Sequence, residues 1–168
     1  MSAQANRELA LRPMLPGDVA TLAAIFRDSV MELTGDDYSE AQQEAWVKSA
    51  EDEAAFAALL ERHVTIVATL NGAPVGFASL ESDDKIGFLY VHPAAAGYGA
   101  GMMLADALEK LASSRKAGTL SVDASDTAYG FFAKRGYDPQ QRNQVQRADE
   151  WLSNTTMRKD LPACDGVH

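Results

Sequence analysis

Three glycines at alternate positions, Gly97, Gly99 and Gly101, restrict the fold of this chain more than any other feature. They follow an apolar run over residues 86–91 and precede a helical pattern over about 101–114. Glycines at such a junction let backbone N–H groups turn toward one point, where the positive end of the helix dipole also lies. The segment therefore predicts a strand, an anion-binding loop and a helix, able to hold a pyrophosphate without a Lys or Arg side chain.

Two common phosphate-binding motifs do not fit this loop. A Walker A loop ends in Gly-Lys-Ser/Thr, whereas Met102 follows Gly101. A dinucleotide-binding fingerprint requires a third glycine where this chain has Met102 or Leu104, depending on the register. A tight strand-to-helix turn without any ligand remains the alternative.

Hydrophobic periodicity organises the first half of the chain. Helices are predicted over residues 18–33, from Ser39 onward with the capping-box partner Gln42, and over about 51–62. The period then changes to that of strands, with turns at Asn71-Gly72 and at residues 82–84. Three strands are predicted to form an antiparallel meander, over residues 64–70, 74–80 and 86–91.

The second half continues the mixed pattern. A short strand over residues 119–122 follows the helix after the glycine loop, which predicts a right-handed βαβ unit with parallel strands. A short helix over 129–135 is stopped by Gly136. A last hairpin, with strands over about 143–146 and 152–158, is expected to complete the sheet.

Length and composition agree with one globular domain. The chain has 168 residues, 46% of them apolar, and we expect a single domain with its core over about 9–160 and frayed termini at 1–6 and 162–168. A net charge of −9 argues against a partner bound through nucleic acid phosphates. The single cysteine, Cys164, cannot form an internal disulfide, and no membrane anchor or signal peptide is visible, so a cytoplasmic protein is expected. No His or Cys spacing matches a metal site.

The glycine loop, together with the preceding His92-Pro93, resembles the acyl-CoA-binding motif of the GNAT N-acyltransferase superfamily, Arg/Gln-x-x-Gly-x-Gly/Ala. The order of elements agrees over about residues 11–159. Residues 131–137, Phe-Phe-Ala-Lys-Arg-Gly-Tyr, are similar to the family's Leu-Tyr-Glu-Lys-Leu-Gly-Phe segment. More narrowly, the chain resembles the YafP-like branch in Tyr38-Ser39 with Trp46, in Thr127-Ala128 and in residues 154–157.

This resemblance implies an α/β fold with a mixed, mostly antiparallel sheet flanked by helices and a central splayed βαβ unit. It implies an enzyme that moves the acetyl group of acetyl-CoA to a primary amine of a small molecule or peptide by direct attack. Pantetheine would lie along one strand and the pyrophosphate on the loop. The residues expected to bind the acyl donor are Leu89, Tyr90, Val91, Gly97, Tyr98, Gly99, Ala100, Gly101, Met102, Ser125 and Phe132.

Three positions depart from the family pattern. Ala96 stands where the superfamily has Arg or Gln, so one side-chain contact to phosphate is missing. Phe132 stands where many members have a Tyr that protonates the leaving thiolate. Gly87 stands where some members carry an acid, so no first-choice base is present.

Other residues are candidates for these roles. Glu81 and Asp123 end predicted strands, and either could accept the proton of the amine, although each could equally be a solvated surface acid. Tyr129, three residues before Phe132, is the candidate proton donor, with packing as the alternative. Ser125 could cap a helix instead of binding the cofactor.

The acceptor end is predicted at Asp37, Tyr38 and Trp46, because acids with aromatic rings suit a cationic amine. Trp46 could instead belong to the core. A non-catalytic acyl-CoA-binding or sensing module remains the alternative function, and a toxin or antitoxin partner of the same fold a third. The acceptor, the acyl chain length and the formation of a homodimer stay open.

Overall fold

The computed structural model describes residues 8–162, in which seven strands form one sheet. The spatial order of the strands is β1-β2-β3-β4-β5-β7-β6, and β4 and β5 are parallel while every other neighbouring pair is antiparallel. This confirms the mostly antiparallel α/β fold expected from the sequence. The strands are β1 Leu9–Pro13, β2 Val64–Leu70, β3 Ala73–Ser82, β4 Lys85–Val91, β5 Thr119–Ser125, β6 Asp138–Arg147 and β7 Glu150–Asp160.

Five α-helices cover the sheet: α1 Val19–Leu33, α2 Glu40–Val47, α3 Glu53–Arg62, α4 Ala100–Ser114 and α5 Tyr129–Lys134. The predicted capping box at the start of α2 is confirmed. The backbone N–H of Gln42 donates to Ser39 Oγ at 3.1 Å, and the N–H of Ser39 donates to Gln42 Oε1 at 2.9 Å. The termini predicted to fray, apart from Pro162, lie outside the described residues, as does Cys164.

Hydrophobic cores lie on both faces of the sheet. On one face α4 and α5 pack against the strands through residues such as Leu104, Leu108 and Phe132. On the other face α1 and α3 pack through Phe26 and Phe56, among others. In β2, the neighbouring residues Val67 and Ala68 belong to opposite cores, as the period of two in a strand requires.

The sequence predicted the bounds of the β2–β3 hairpin better than those of the β6–β7 hairpin. The β2–β3 turn is formed by Asn71 and Gly72, both with positive φ (54° and 87°), as a two-residue hairpin turn requires. The β6–β7 hairpin is much longer than expected, because β6 spans residues 138–147 rather than 143–146. Its residues are almost all polar and exposed on an edge strand, so hydrophobic alternation could not reveal it.

The parallel strands β4 and β5 are paired at one position, Lys85 with Ser121, and diverge beyond it. On its other side β4 is irregular: Phe88 pairs with Ser79 and Ile86 with Leu80, which leaves Gly87 as an extra residue. Such a bulge bends a strand. The bend opens the predicted splay in the middle of the sheet, between β4 and β5.

Candidate active site

A cleft with a volume of about 990 Å³ occupies the splay. Its floor and walls come from residues 86–90 of β4 and residues 123–125 of β5. Ala128 and Phe132 line it from the α5 side, while Phe26 and Trp46 line it from the α1 and α2 side. The cleft therefore connects the two faces of the sheet, and two ligands could meet in it.

The glycine loop at the end of β4 has the backbone needed for an anion site. Gly97 and Gly99 have φ values of 89° and 90°, and a Cβ at either position would meet no atom within 4 Å. Both positions therefore favour glycine because their backbone is left-handed, and not because a Cβ would clash with a neighbouring atom. Gly99 caps the 15-residue helix α4, whose first N–H groups have no acceptor within the helix.

The loop also fits a diphosphate chemically. Within residues 8–162, no hydrogen bond uses the N–H groups of Gly97 or Gly99. Ala96, Tyr98 and Met102 are exposed, so the loop is open to solvent. These donors match the acceptor oxygens of a phosphate group.

The residues predicted to bind the acyl donor come together along this path. Leu89, Tyr90, Ser125 and Phe132 line the cleft, and residues 97–102 form the loop. Val91, the last residue of β4, lies next to the loop, since its Cγ2 would be 3.8 Å from a Cβ at Gly101. Ser125 also accepts a hydrogen bond from the Ala128 N–H at 3.1 Å, which holds the turn before α5. The pantetheine path and the anion loop are thus continuous.

At the other end of the cleft, Tyr38 and Trp46 are in ring contact, with centroids 5.2 Å apart. The Tyr38 hydroxyl is fully used, because it accepts from the Asp126 N–H at 2.9 Å while its proton goes to a carbonyl of β7. Burial raises the pKa of Tyr38. Asp37 does not line the cleft and accepts instead from Thr127 Oγ1 at 2.7 Å.

Tyr90 contributes a phenol to the aromatic wall. Its ring meets Phe26 edge-on with a centroid distance of 4.8 Å, and the indole N–H of Trp46 interacts with its hydroxyl. Burial raises the pKa of Tyr90 to about 12. This hydroxyl therefore keeps its proton across the physiological range, a side-chain feature that sequence reasoning missed.

The two predicted carboxylate bases share one lysine. Lys85 Nζ lies 3.7 Å from Glu81 and 3.2 Å from Asp123, and Asp123 also accepts from Thr156 Oγ1 at 2.7 Å. Both acids line the cleft at its rim and are more than one-third exposed. Within the described chain, Arg62 and Arg147 also line the cleft and have no acidic partner.

Tyr129 is not brought to the cleft. It is half-buried at the start of α5, and its side chain packs against the core on the α4 face of the sheet. On this short helix Phe132 takes the cleft position.

His63 is a cleft residue that sequence reasoning did not select. It lines the wall between α3 and β2, and burial lowers the pKa of its imidazole. The imidazole lies directly above Gly87. The sequence showed that Gly87 has no side chain. It could not show that His63, 24 positions earlier, lies in the space that this leaves.

Residues 8–162 contain neither a candidate metal site nor a membrane-spanning helix. No group of three or more His, Cys, Asp or Glu side chains in this range could hold a metal ion. None of the helices in it is both long and apolar enough to cross a bilayer.

The family model that matches the chain is the acetyltransferase (GNAT) domain, over residues 34–161. The chain belongs to the GNAT acetyltransferase family. The sequence-based expectation of an N-acetyltransferase is thereby confirmed at the level of the family.

Individual relatives agree with this membership of the GNAT family. The chain is 33% identical over 148 residues to the uncharacterized N-acetyltransferase YafP of Escherichia coli, covering 88% of this chain and 93% of YafP. A GCN5-related N-acetyltransferase from Rhodopseudomonas palustris is 60% identical, with a TM-score of 0.90 over 90% of this chain and 95% of that one. The PaiA N-acetyltransferase of Thermoplasma acidophilum, solved with coenzyme A, shares the fold at 18% identity, with a TM-score of 0.76 over 91% and 99% of the two chains.

Proposed function

We propose that this GNAT protein transfers the acetyl group of acetyl-CoA to a primary amine of a small molecule or peptide. The observation that carries the proposal is the gap between β4 and β5, which begins after the Lys85–Ser121 pair. At its other end Val91 of β4 lies next to Gly101 of the glycine loop. A ligand with a diphosphate at one end and an extended amide chain at the other suits this path. The Thermoplasma acidophilum protein of the same fold, solved with coenzyme A, supports this choice of donor.

The backbone does most of the donor binding in this proposal. The N–H groups of residues 97–102, apart from that of Tyr98, which donates to the Ala95 carbonyl, hold the pyrophosphate. The unpaired edge of β4 at residues 89–91 pairs with the amides of pantetheine. Ser125 and Phe132 line the opposite wall. Acetyl-CoA supplies an activated thioester, and the protein orients it toward the acceptor end of the cleft.

The acceptor enters from the α1 and α2 side, along Phe26, Trp46 and Tyr90. The guanidinium groups of Arg62 and Arg147, which have no acidic partner within the described residues, favour an acceptor that carries an anionic group besides its amine. Asp37, predicted from sequence as part of this pocket, is better explained by its bond to Thr127.

Catalysis then consists of positioning plus proton removal. An alkyl amine with a pKa of ~10.4 is almost fully protonated at neutral pH, so a group in the cleft must accept a proton before the nitrogen can attack. The thiolate that leaves takes a proton in turn. Phe132 cannot supply that proton, and this, together with the missing acid at Gly87, favours the alternative of a non-catalytic acyl-CoA sensor.

Calorimetric titration and a turnover assay separate these two functions. The protein should bind acetyl-CoA and release free thiol when it is offered amines, and amines that carry a carboxylate should be used better than their uncharged counterparts. Binding of acetyl-CoA without thiol release for any amine would instead identify a sensor. Absence of acetyl-CoA binding would reject both.

A further inference from the structure

The imidazole of His63 occupies the space above Gly87, where β4 bends away from β5. A Cβ at Gly87 would lie 2.7 Å from His63 Cε1 and 2.8 Å from its Nδ1, so a side chain there would displace the imidazole from its present position. The absence of a side chain at Gly87 is therefore what admits the imidazole to the cleft.

Ser79 holds the imidazole of His63 in place through a hydrogen bond. Its hydroxyl oxygen lies 2.9 Å from His63 Nδ1 and accepts the backbone N–H of Phe88 at 3.1 Å. Ser79 is fully buried, and the Phe88 ring packs beside the imidazole with a centroid distance of 5.9 Å. The orientation of the imidazole is thus set by two strands, β3 and β4.

The other ring nitrogen, Nε2, faces the solvent of the cleft. It has no hydrogen-bond partner among residues 8–162, and no buried side-chain nitrogen or oxygen in that range lacks a partner, so Nε2 must be accessible. When Nδ1–H donates to Ser79, Nε2 carries the free lone pair. A hydroxyl can accept as well as donate, so the contact between Nδ1 and Ser79 survives when Nε2 gains a proton.

Burial, more than the charges nearby, keeps the imidazole of His63 neutral near pH 7. Burial lowers the pKa of His63, the carboxylate of Glu81 on β3 raises it, and Arg62 at the end of α3 lowers it. Lys85 and Asp123 stand further along the same cleft wall. A neutral imidazole is ready to accept a proton, whereas the carboxylates of Glu81 and Asp123 are both held by Lys85.

We propose that His63 is the catalytic base of the acetyl transfer and that Ser79 is its positioning residue. The inference rests on the proposed function. His63 Nε2 takes one proton from the ammonium of the acceptor, which frees the nitrogen lone pair. The N–C bond then forms at the thioester carbonyl, the C–S bond breaks, and the thiolate takes up the second amine proton. The proton on His63 passes to solvent.

The first test is His63→Asn, which retains a hydrogen-bonding group near the Nδ1 position and removes Nε2. We expect kcat/KM to fall by about 10²–10⁴ while the affinity for acetyl-CoA stays unchanged. In the parent enzyme, activity should be lost as the pH falls through the pKa of His63, below 6.5. In the variant that limb should vanish, and the rate should instead rise toward ~10.4, where the amine loses its own proton.

Glu81→Gln distinguishes His63 from Glu81 as the base and does not depend on the folding of the histidine variant. Removing the charge of Glu81 should lower the pKa of His63, so the acid limb of the pH profile should move to lower pH, with a loss of kcat/KM far smaller than in His63→Asn. A proton NMR titration of the His63 ring should show the same shift. Ser79→Ala should lower kcat more than it changes KM.

Each contrary result has a distinct meaning. A large loss of activity in Glu81→Gln at every pH, without any shift of the acid limb, would assign the base to Glu81 and overturn the proposal. Unchanged activity and an unchanged pH profile in His63→Asn would overturn it as well, while leaving the acetyl transfer intact. A parent protein that binds acetyl-CoA but acetylates no amine would reject the proposed function itself.

Discussion

The hydroxyl group of Tyr38 donates a hydrogen bond of 2.6 Å to the carbonyl oxygen of Ser153, 115 residues further along the chain. Together with the N–H of Asp126 on the same hydroxyl, this contact ties the entry of α2 to β7 and to the loop after β5. Tyr38 thus holds three separate segments together at the acceptor end of the cleft.

Tyr38→Phe should therefore lower the free energy of unfolding by about 1–3 kcal/mol, because two backbone groups lose their partner. The ring contact with Trp46 would remain, so the loss reports on the hydroxyl alone. Urea denaturation of the parent and the variant measures it. An unfolding free energy within about 0.5 kcal/mol of the parent would mean that water replaces the hydroxyl at little cost.

Tyr129→Phe tests the proton donor suggested by the sequence. Because Tyr129 packs against the core and not into the cleft, turnover should change by less than about tenfold, well below the ~10²–10⁴ of a proton-transfer group. Steady-state kinetics with saturating acetyl-CoA gives the answer. A drop of two orders of magnitude or more would restore Tyr129 to the reaction.

Gly99→Glu should abolish detectable acetyl-CoA binding in calorimetry, since it places a carboxylate at the proposed pyrophosphate site. Gly99→Ala should weaken binding, because Ala in a left-handed conformation costs about 1–2 kcal/mol. Gly72→Ala is the matched control: Gly72 has a φ of 87° and equal open space, but lies in the β2–β3 turn. It should lose similar stability and keep full affinity.

Trp46→Phe should raise the KM for the acceptor while the affinity for acetyl-CoA stays the same. The substitution keeps an aromatic ring but removes the indole N–H that interacts with Tyr90. Asp37→Asn serves as the comparison, because Asp37 does not line the cleft and its change should leave the acceptor KM unaltered. If Trp46→Phe weakened the binding of the acceptor and of acetyl-CoA to the same extent, the indole ring would contribute to packing of the core and not to acceptor binding.

Asp18→Asn should make stability less dependent on acidic pH. Arg12 donates two hydrogen bonds to the buried Asp18 carboxylate, at 2.7 and 2.9 Å, and thereby lowers its pKa below 3.8. A depressed pKa means stability that is fully present above the unfolded value of ~3.9 and is lost as the pH falls through the folded pKa. Denaturation curves should show a difference in stability between parent and variant at pH 6 that disappears as the pH falls through the lowered pKa of Asp18.

Local signals in the sequence identified most elements of the fold. The Ser39–Gln42 capping box, the Asn71-Gly72 turn and the glycine loop each depend on neighbours a few residues apart, and all three have the expected structure. Edge strand β6 was underestimated because its pairing with β7 involves polar side chains, such as the hydrogen bond between Asn143 and Asn154.

The site was less readable because its key contacts join distant residues. Tyr38 and Trp46 were selected as cleft residues, but the bond of Tyr38 to Ser153 depends on a strand that lies across the sheet. The place of His63 above Gly87 depends on the bulge in β4 and on the end of α3, two features that no local pattern connects.

The divergence of β4 and β5 also bears on how proteins of this kind can change their acceptors. Backbone groups do not depend on which side chains the strands carry, so the donor recognition proposed for the edge of β4 and the glycine loop would tolerate wide variation in sequence. Ala96, where the family motif has Arg or Gln, is an instance of that tolerance. Side chains on the α1 and α2 side of the cleft can then change without altering the backbone groups on the donor side. Substitutions there could change the acceptor while acetyl-CoA remains the donor.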